Sequence, residues 1–175
     1  MDAENPATTR PARKTLEAGD IVDGWHLKEK LHTGGMAHLW SVEPVPPGKH
    51  ELGGESGPFI MKVPRIKGGE DPATIVGFEV EQMILPMLSG PHVPKFIARG
   101  DFTEQPYIVM ERIEGVSLRP KLDEAPLPLD EVIEVGSRVA VALHELHKQR
   151  LVHLDVKPSN IMMRPDGTAV LVDFG

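Results

Sequence analysis

Trp25, Leu27 and Leu31 fall at mostly alternate positions between Ile21 and His32, the period of a half-buried strand. The turn Thr33-Gly34-Gly35-Met36 follows, and the segment from Ala37 to Val42 returns as a second strand. Phe59-Ile60-Met61-Lys62-Val63-Pro64 predicts a third strand, an apolar run broken by one lysine. Val93 to Phe102 and Tyr107 to Glu111 predict two more around a polar turn. The second of these is continuously apolar, as in a central strand. Two stretches instead carry helical spacing. Ile75, Phe78, Met83, Leu85 and Leu88 follow an N-cap candidate at Asp71, with Pro72 at the first helical position. Pro86 removes a hydrogen bond to the Gln82 carbonyl, so the last turn should kink or end there. The second helix, Leu129 to Gln149, carries Val132, Val135, Val139, Ala142, Leu143 and Leu146 as an apolar stripe. Asp130 and Glu131 lie in its first turn and Lys148 and Arg150 at its end, as the helix dipole prefers. Ile161 to Val172 reads as apolar run, Pro165-Asp166-Gly167 turn, apolar run, which predicts a two-stranded hairpin.

The pieces between are punctuation. Met1 to Gly19, rich in Pro, Thr, Ala and mixed charge, reads as a disordered leader with no apolar core for a signal peptide. Pro44 to Pro58 is a Pro/Gly-rich loop, Ser89 to His92 a turn, and Leu118 to Pro128 a short helix or loop. The 175 residues, 40% of them hydrophobic, suffice for one core. A net charge of −7 makes a nucleic-acid backbone an unexpected partner. The lack of cysteine excludes disulfides and cysteine zinc sites and favours a reducing compartment, here cytoplasmic. The histidines show no metal-ligand clustering and read as ordinary surface or core residues. No apolar run approaches the length that spans a bilayer.

The chemistry gathers at the hairpin. A hairpin brings its flanks side by side, so Asn160, entering it, and Asp173, leaving it, should end close together with Asp155 one loop away. Phosphoryl transfer needs such a set. Hard Mg²⁺ takes oxygen ligands such as a carboxylate and an amide carbonyl, and a further carboxylate must orient the attacking hydroxyl and accept its proton.

His153-Leu154-Asp155-Val156-Lys157-Pro158-Ser159-Asn160 and then Asp173-Phe174-Gly175 resemble the catalytic loop and the Asp-Phe-Gly signature of the protein kinase family, of the bacterial Ser/Thr type. The resemblance implies that Asp155 is the base, that Lys157 steadies the γ-phosphate and that Asn160 and Asp173 hold Mg²⁺. It further implies that Lys62 contacts the α- and β-phosphates of ATP and pairs with a helical glutamate. Read without the family, Lys62 could as well be an edge-strand lysine facing solvent. The family spacing to Leu85 and Leu88 selects Glu81 as the partner, with Glu79 as the surface alternative. Met110 takes the gatekeeper position, and the Glu111 carbonyl and Ile113 amide would face adenine. Leu31, Gly34, Gly35 and Leu39 complete the implied nucleotide site. The glycine loop departs from the family pattern, with His32 in place of the first glycine and Ala37 in place of the third. A His32 side chain would sit where adenosine is usually covered. Leu154 stands where many kinases carry the arginine that receives a phosphorylated activation loop, which implies independence from that switch.

The expected fold is α+β and protein-kinase-like: a complete N-lobe of five antiparallel strands and one helix over residues 20–111, a hinge over 112–117, and the start of a helical C-lobe over 118–175. The expected partners are MgATP and a protein carrying a Ser or Thr hydroxyl. A chain that stops on Gly175 reads as cut within the family's fold, before the activation segment. The second reading is a catalytically inactive nucleotide-binding or docking fragment, or pseudokinase. On this basis, purified residues 1–175 should transfer little or no ³²P from labelled ATP to a generic protein substrate; robust incorporation would contradict the expectation.

Overall fold

The computed structural model describes residues 15–45, 57–65 and 72–175. Most of the expected leader, most of the 44–58 loop and the Asp71 cap lie outside the described residues.

Among the described residues nine strands and two α-helices form in the order β1 (Ile21–Val22), β2 (Trp25–Thr33), β3 (Ala37–Pro44), β4 (Phe59–Pro64), α1 (Pro72–Ile84), β5 (Phe96–Gly100), β6 (Tyr107–Glu111), β7 (Val116–Ser117), α2 (Leu129–Lys148), β8 (Ile161–Met163) and β9 (Ala169–Leu171). The first sheet is antiparallel with strand order β1-β2-β3-β4-β6-β5. It contains the five expected strands plus the two-residue edge strand β1, which returns through Asp23 and Gly24, both at positive φ. A second sheet, β7-β8-β9, holds the hairpin at the end of the chain.

Strand alternation sorts the apolar residues into two cores. Phe59, Met61 and Val63 of β4 and Tyr107 and Val109 of β6 face one side with Trp25, Leu27, Trp40 and Val42. Ile108 and Met110 of β6 face the other side, where they meet Phe78 of α1 and Leu85 just after it, Ala142 and Leu146 of α2, and the hairpin residues Ile161, Ala169 and Leu171. The continuously apolar β6 is therefore buried on both faces, as its composition predicts.

Helix α1 ends at Ile84 and tightens into a 3₁₀ turn over Leu85–Met87, because Pro86 cannot donate the next helical hydrogen bond. Its buried face differs from the expected one. Met83 is 66% exposed, whereas Phe78, Glu81, Gln82 and Leu85 are buried. The inward face of α1 is thus partly polar, and apolar periodicity alone misplaces it. The Gln82 amide donates to the carbonyls of Gly100 (2.8 Å) and Tyr107 (3.0 Å), and Arg99 returns a bond to the Gln82 carbonyl. These bonds tie the helix to the β5–β6 turn. Gly100 is required there, since a Cβ would lie 2.4 Å from the Gln105 carbonyl and the Tyr107 ring. On α2, Ala142 and Leu146 are buried and Val135, Val139 and Leu143 half-buried, but Val132 at the N-terminal end is 48% exposed, so the stripe is covered over its later turns only. Strand β5 is shorter than the expected 93–102 run, because Pro94 has no N–H for the ladder and the chain turns at Asp101.

Replacing Gln82 by Met keeps the length of the side chain but leaves two buried carbonyls without their donor. The expected loss is about 2 kcal/mol of unfolding free energy, read by urea denaturation with an unchanged slope. A loss below about 0.5 kcal/mol would show that these bonds do not secure the helix.

Candidate active site

Lys62 sits in the middle of β4, opposite Leu39 of β3 and Ile108 of β6, so these three share one face of the sheet. That face turns toward α1 and the C-terminal hairpin. The Lys62 Nζ donates to Glu81 Oε2 at 2.5 Å and to Asp173 Oδ1 at 2.5 Å. Glu81 is buried to 2% exposure and its other oxygen accepts the Phe174 N–H at 3.4 Å. One ion triad therefore joins β4, α1 and the segment after β9. The alternative Glu79 is exposed and takes no part. Burial lowers the affinity of Lys62 for its proton, but the charges of Glu81 and Asp173 and their hydrogen bonds outweigh it and hold the pKa above the ordinary lysine value. Lys62 stays charged at neutral pH. Its contribution to stability is complete below the ordinary lysine range and is lost as pH rises through the elevated value.

Helix and signature also touch through backbone. A Cβ on Gly175 would lie 2.3 Å from the Gly77 carbonyl, so Gly77 and Gly175 allow α1 to press against the Asp-Phe-Gly segment one turn before Glu81. Asp173 lies at φ +68°, a conformation that Asp tolerates better than most residues. This left-handed step ends the run of β9 at the residue whose carboxylate reaches Lys62.

The second constellation lies on the loop before β8. Asp155 Oδ2 accepts the Lys157 ammonium at 2.5 Å and the Asn160 amide at 3.0 Å, and the same amide bonds the Asp155 carbonyl at 3.1 Å. The bond from Lys157 is the main reason the Asp155 carboxyl titrates below the usual aspartate range, despite an opposing desolvation effect. Lys157 is raised in turn, first by its bond to Asp155. Asn160 is buried, and its amide nitrogen is engaged with Asp155.

The two groups are braced to each other. Val172 N–H donates to the Asn160 carbonyl at 3.0 Å, which sets Asn160 beside the strand that leads to Asp173. His153 completes the brace. Its Nδ1 accepts the Asp155 N–H (3.3 Å), so its Nε2 carries the proton given to the Val172 carbonyl (3.0 Å). Its ring packs on Phe174 at 4.8 Å between centroids. Sequence reading treats His153 as ordinary. Its role depends on a neighbour nineteen positions away, which spacing does not disclose. Leu154, between His153 and Asp155, is 90% exposed and sits at φ +65°, an uncommon conformation for a branched side chain.

The remaining predicted positions lie on β2, β3, β6 and the connections that follow them. Met110 is buried and pairs with Ile60 across the sheet. Glu111 ends β6 and Ile113 follows in the irregular stretch before β7, half-buried. The Glu111 side chain accepts Arg164 of the hairpin turn at 2.6 Å and the Lys95 N–H at 3.3 Å, which binds this connection to both sheets. Leu39 and Leu31 are half-buried, and a register shift between Lys30 and His32 leaves Leu31 outside the ladder. His32 pairs with Leu39, so it shares the face of Lys62. Gly34 and Gly35 lie in the three-residue turn between β2 and β3.

The donor set suits a hard dication. Asn160 and Asp173 each offer an oxygen, and the formal charges of Lys62, Glu81 and Asp173 sum to −1. Among the described residues no cluster of three or more His, Cys, Asp or Glu could hold a metal alone.

Comparison with known proteins now decides the assignment. Residues 60–175 match the family model of the protein kinase domain. The chain belongs to the protein kinase family. Its relatives are named serine/threonine-protein kinases: the chain is 30% identical over 162 residues to a probable kinase PknB of Lactococcus lactis, covering 91% of this chain and 25% of that protein. It is 34% identical to PknL of Mycobacterium tuberculosis, covering 93% and 39% respectively. The crystal structure of the Mycobacterium tuberculosis PknI kinase domain aligns with a TM-score of 0.70 and 27% identity over 91% of this chain and 63% of that one. The apo form of PpkA-294, at 15% identity and a TM-score of 0.68, shares the fold. The chain thus spans about a quarter to two fifths of these full-length relatives. The family as a whole uses ATP and a divalent metal. Among the described residues, no helix is long and apolar enough to cross a membrane.

Replacing Lys157 by Met should move the Asp155 titration upward, toward the ordinary aspartate range, because the strongest group that lowers it is gone. The ¹³Cγ chemical shift of Asp155 followed against pH measures this. The depressed pKa contributes stability above the ordinary carboxylate range, lost as pH falls through the lowered value. The variant should therefore lose part of its stability at neutral pH and be less sensitive to mild acid.

Proposed function

We propose that this chain carries the nucleotide site and phosphotransfer centre of a serine/threonine protein kinase, which moves the γ-phosphate of MgATP to a Ser or Thr hydroxyl of a protein. The observation that carries the reading is the ion triad of Lys62, Glu81 and Asp173, formed beside the Asp155–Lys157–Asn160 cluster. In this reading Lys62, held by Glu81, contacts the α- and β-phosphates, and Lys157 neutralises charge on the transferred group. Asn160 and Asp173 hold Mg²⁺, which when bound screens the charge on the phosphate oxygens. The Glu111 carbonyl and Ile113 amide meet adenine beside Met110, with Leu31, Leu39 and the Gly34–Gly35 turn covering the nucleotide.

Asp155 is ionised at neutral pH and exposed on one side, so it can accept a hydrogen bond from the substrate hydroxyl. A carboxylate with a lowered pKa is a weak base. It orients the hydroxyl first and takes the proton late, as the O–P bond forms and the nucleoside diphosphate leaves. The positively charged Lys157 beside it is placed to follow the shift of negative charge. A cytoplasmic location, suited to a chain without cysteine, belongs to the same proposal.

A second reading is favoured by one observation. His32 stands on the Lys62 face of the sheet where the family pattern has glycine. It makes this chain a nucleotide-binding or docking module without transfer. Thermal unfolding with and without MgATP separates the possibilities. At a nucleotide concentration 100-fold above Kd the wild type should gain about 5 °C or more. Lys62→Ala should lose most of the gain. No gain in the wild type would remove both catalysis and nucleotide binding and leave docking alone, whereas a gain without transfer, in a chain extended to the full kinase domain, would favour the second.

A further inference from the structure

The turn between β2 and β3 keeps only Gly34 of the three glycines in the family pattern, and it lies outside the residues matched by the kinase family model. Something other than glycine must therefore set its shape. Two bonds come from one residue on the neighbouring strand. The Arg65 backbone N–H donates to the Met36 carbonyl at 2.8 Å, extending the β3–β4 ladder one step past Ala37 opposite Pro64. The Arg65 guanidinium then crosses the turn and donates to the Gly34 carbonyl at 2.8 Å. The turn also closes on itself through the Gly34 N–H and the Ala37 carbonyl at 2.9 Å.

The direction of the guanidinium bond matters. Along β4, Lys62 points to the face that carries Glu81 and Asp173, while Met61 and Val63 point into the opposite core. Arg65 has the parity of Met61 and Val63, so it grips the Gly34 carbonyl from the face opposite Lys62. In a planar trans peptide the C=O and the following N–H point in opposite directions. Holding the Gly34 oxygen toward Arg65 therefore turns the Gly35 N–H toward the Lys62 face. Gly35 is exposed, and a Cβ built on it meets nothing within 4 Å, so no neighbouring side chain packs over this residue of the turn.

We propose that Arg65 is a positioning residue for phosphate binding, which aims the Gly35 N–H into the triphosphate site by fixing the Gly34 carbonyl from behind. The inference rests on the reading of this pocket as a nucleotide site. Arg65 acts through the peptide plane and does not touch the nucleotide. It offsets the missing glycines: a turn with less conformational freedom needs less of it when one side chain already selects the peptide orientation.

Nucleotide binding by purified chain, measured by calorimetry with MgATP and with adenosine, tests this. Arg65→Ala should weaken MgATP about five- to tenfold, the size of one ordinary net hydrogen bond, because the Gly35 N–H is misaimed rather than removed, and leave adenosine within about twofold. Arg65→Lys, which keeps a donor and the charge, should recover most of the loss. Gly35→Pro, which removes the N–H itself, should weaken MgATP comparably. Adding Arg65→Ala to Gly35→Pro should cost little more, since both act on one contact. Additive losses would show that Arg65 acts through its charge alone and overturn the proposal. Equal MgATP affinity in wild type and Arg65→Ala, or an equal loss of adenosine, would also overturn it while leaving the nucleotide site in place. Absence of MgATP binding in the wild type would overturn the underlying reading itself.

Discussion

A single ammonium group organises the centre of this protein. Lys62 is 14% exposed at its side chain and is shared between Glu81, almost fully enclosed, and Asp173, nearly half exposed. Removing such charges from water costs several kcal/mol per ion, which their mutual attraction recovers only with good geometry. The triad is therefore weak evidence for stability. Its value is registration: it can form only when β4, α1 and the end of the hairpin stand in one relative position. The surrounding contacts serve that position. Gln82 and Arg99 hold α1 from behind, and the paired glycines at 77 and 175 let it approach from the front.

The same economy links the loop before β8 to the end of the hairpin. His153 is buried and spends both ring nitrogens on the main chain, one toward Asp155 and one toward Val172. Because the Asp155 N–H fixes the tautomer, the ring acts as a rigid spacer with a defined donor and acceptor end. Phe174 packs against it and joins the core that includes Phe78 of α1. Movement of the helix, the signature or the loop would thus disturb the other two through apolar contact as well as through charge.

Strain gathers in the same place. Leu154 and Asp173, adjacent to Asp155 and Phe174 respectively, both adopt positive φ. Each left-handed residue costs on the order of 1 kcal/mol, and such conformations persist only where packing on both sides determines them. Glu111, gripped by Arg164 and by the Lys95 backbone, gives the connection between the sheets a comparable restraint.

Much of this was legible in the letters. Alternation gave β2, the glycine-bearing turn gave its return as β3, short apolar runs gave β4 and β6, Pro86 gave the end of α1, and the Pro-Asp-Gly turn gave the hairpin, because each depends on neighbours within a few residues. The spacing of Asp155, Asn160 and Asp173 was equally readable, since a hairpin converts sequence separation into proximity by local geometry alone. The inward face of α1 was not: it is built on Gln82 as well as Phe78 and Leu85, and the partners of Gln82 lie on strands formed later in the chain. The closure of Lys62 on Glu81 and Asp173, the brace at His153, the grip of Arg65 on Gly34 and the tie of Glu111 to Arg164 belong to tertiary structure for the same reason, although the family spacing had already singled out Glu81 over Glu79. Each joins groups that the sequence holds far apart, and only the packing of two cores brings them within hydrogen-bond reach. Local patterning determined which chemistry this chain carries; long-range closure decided which side chains hold it in place.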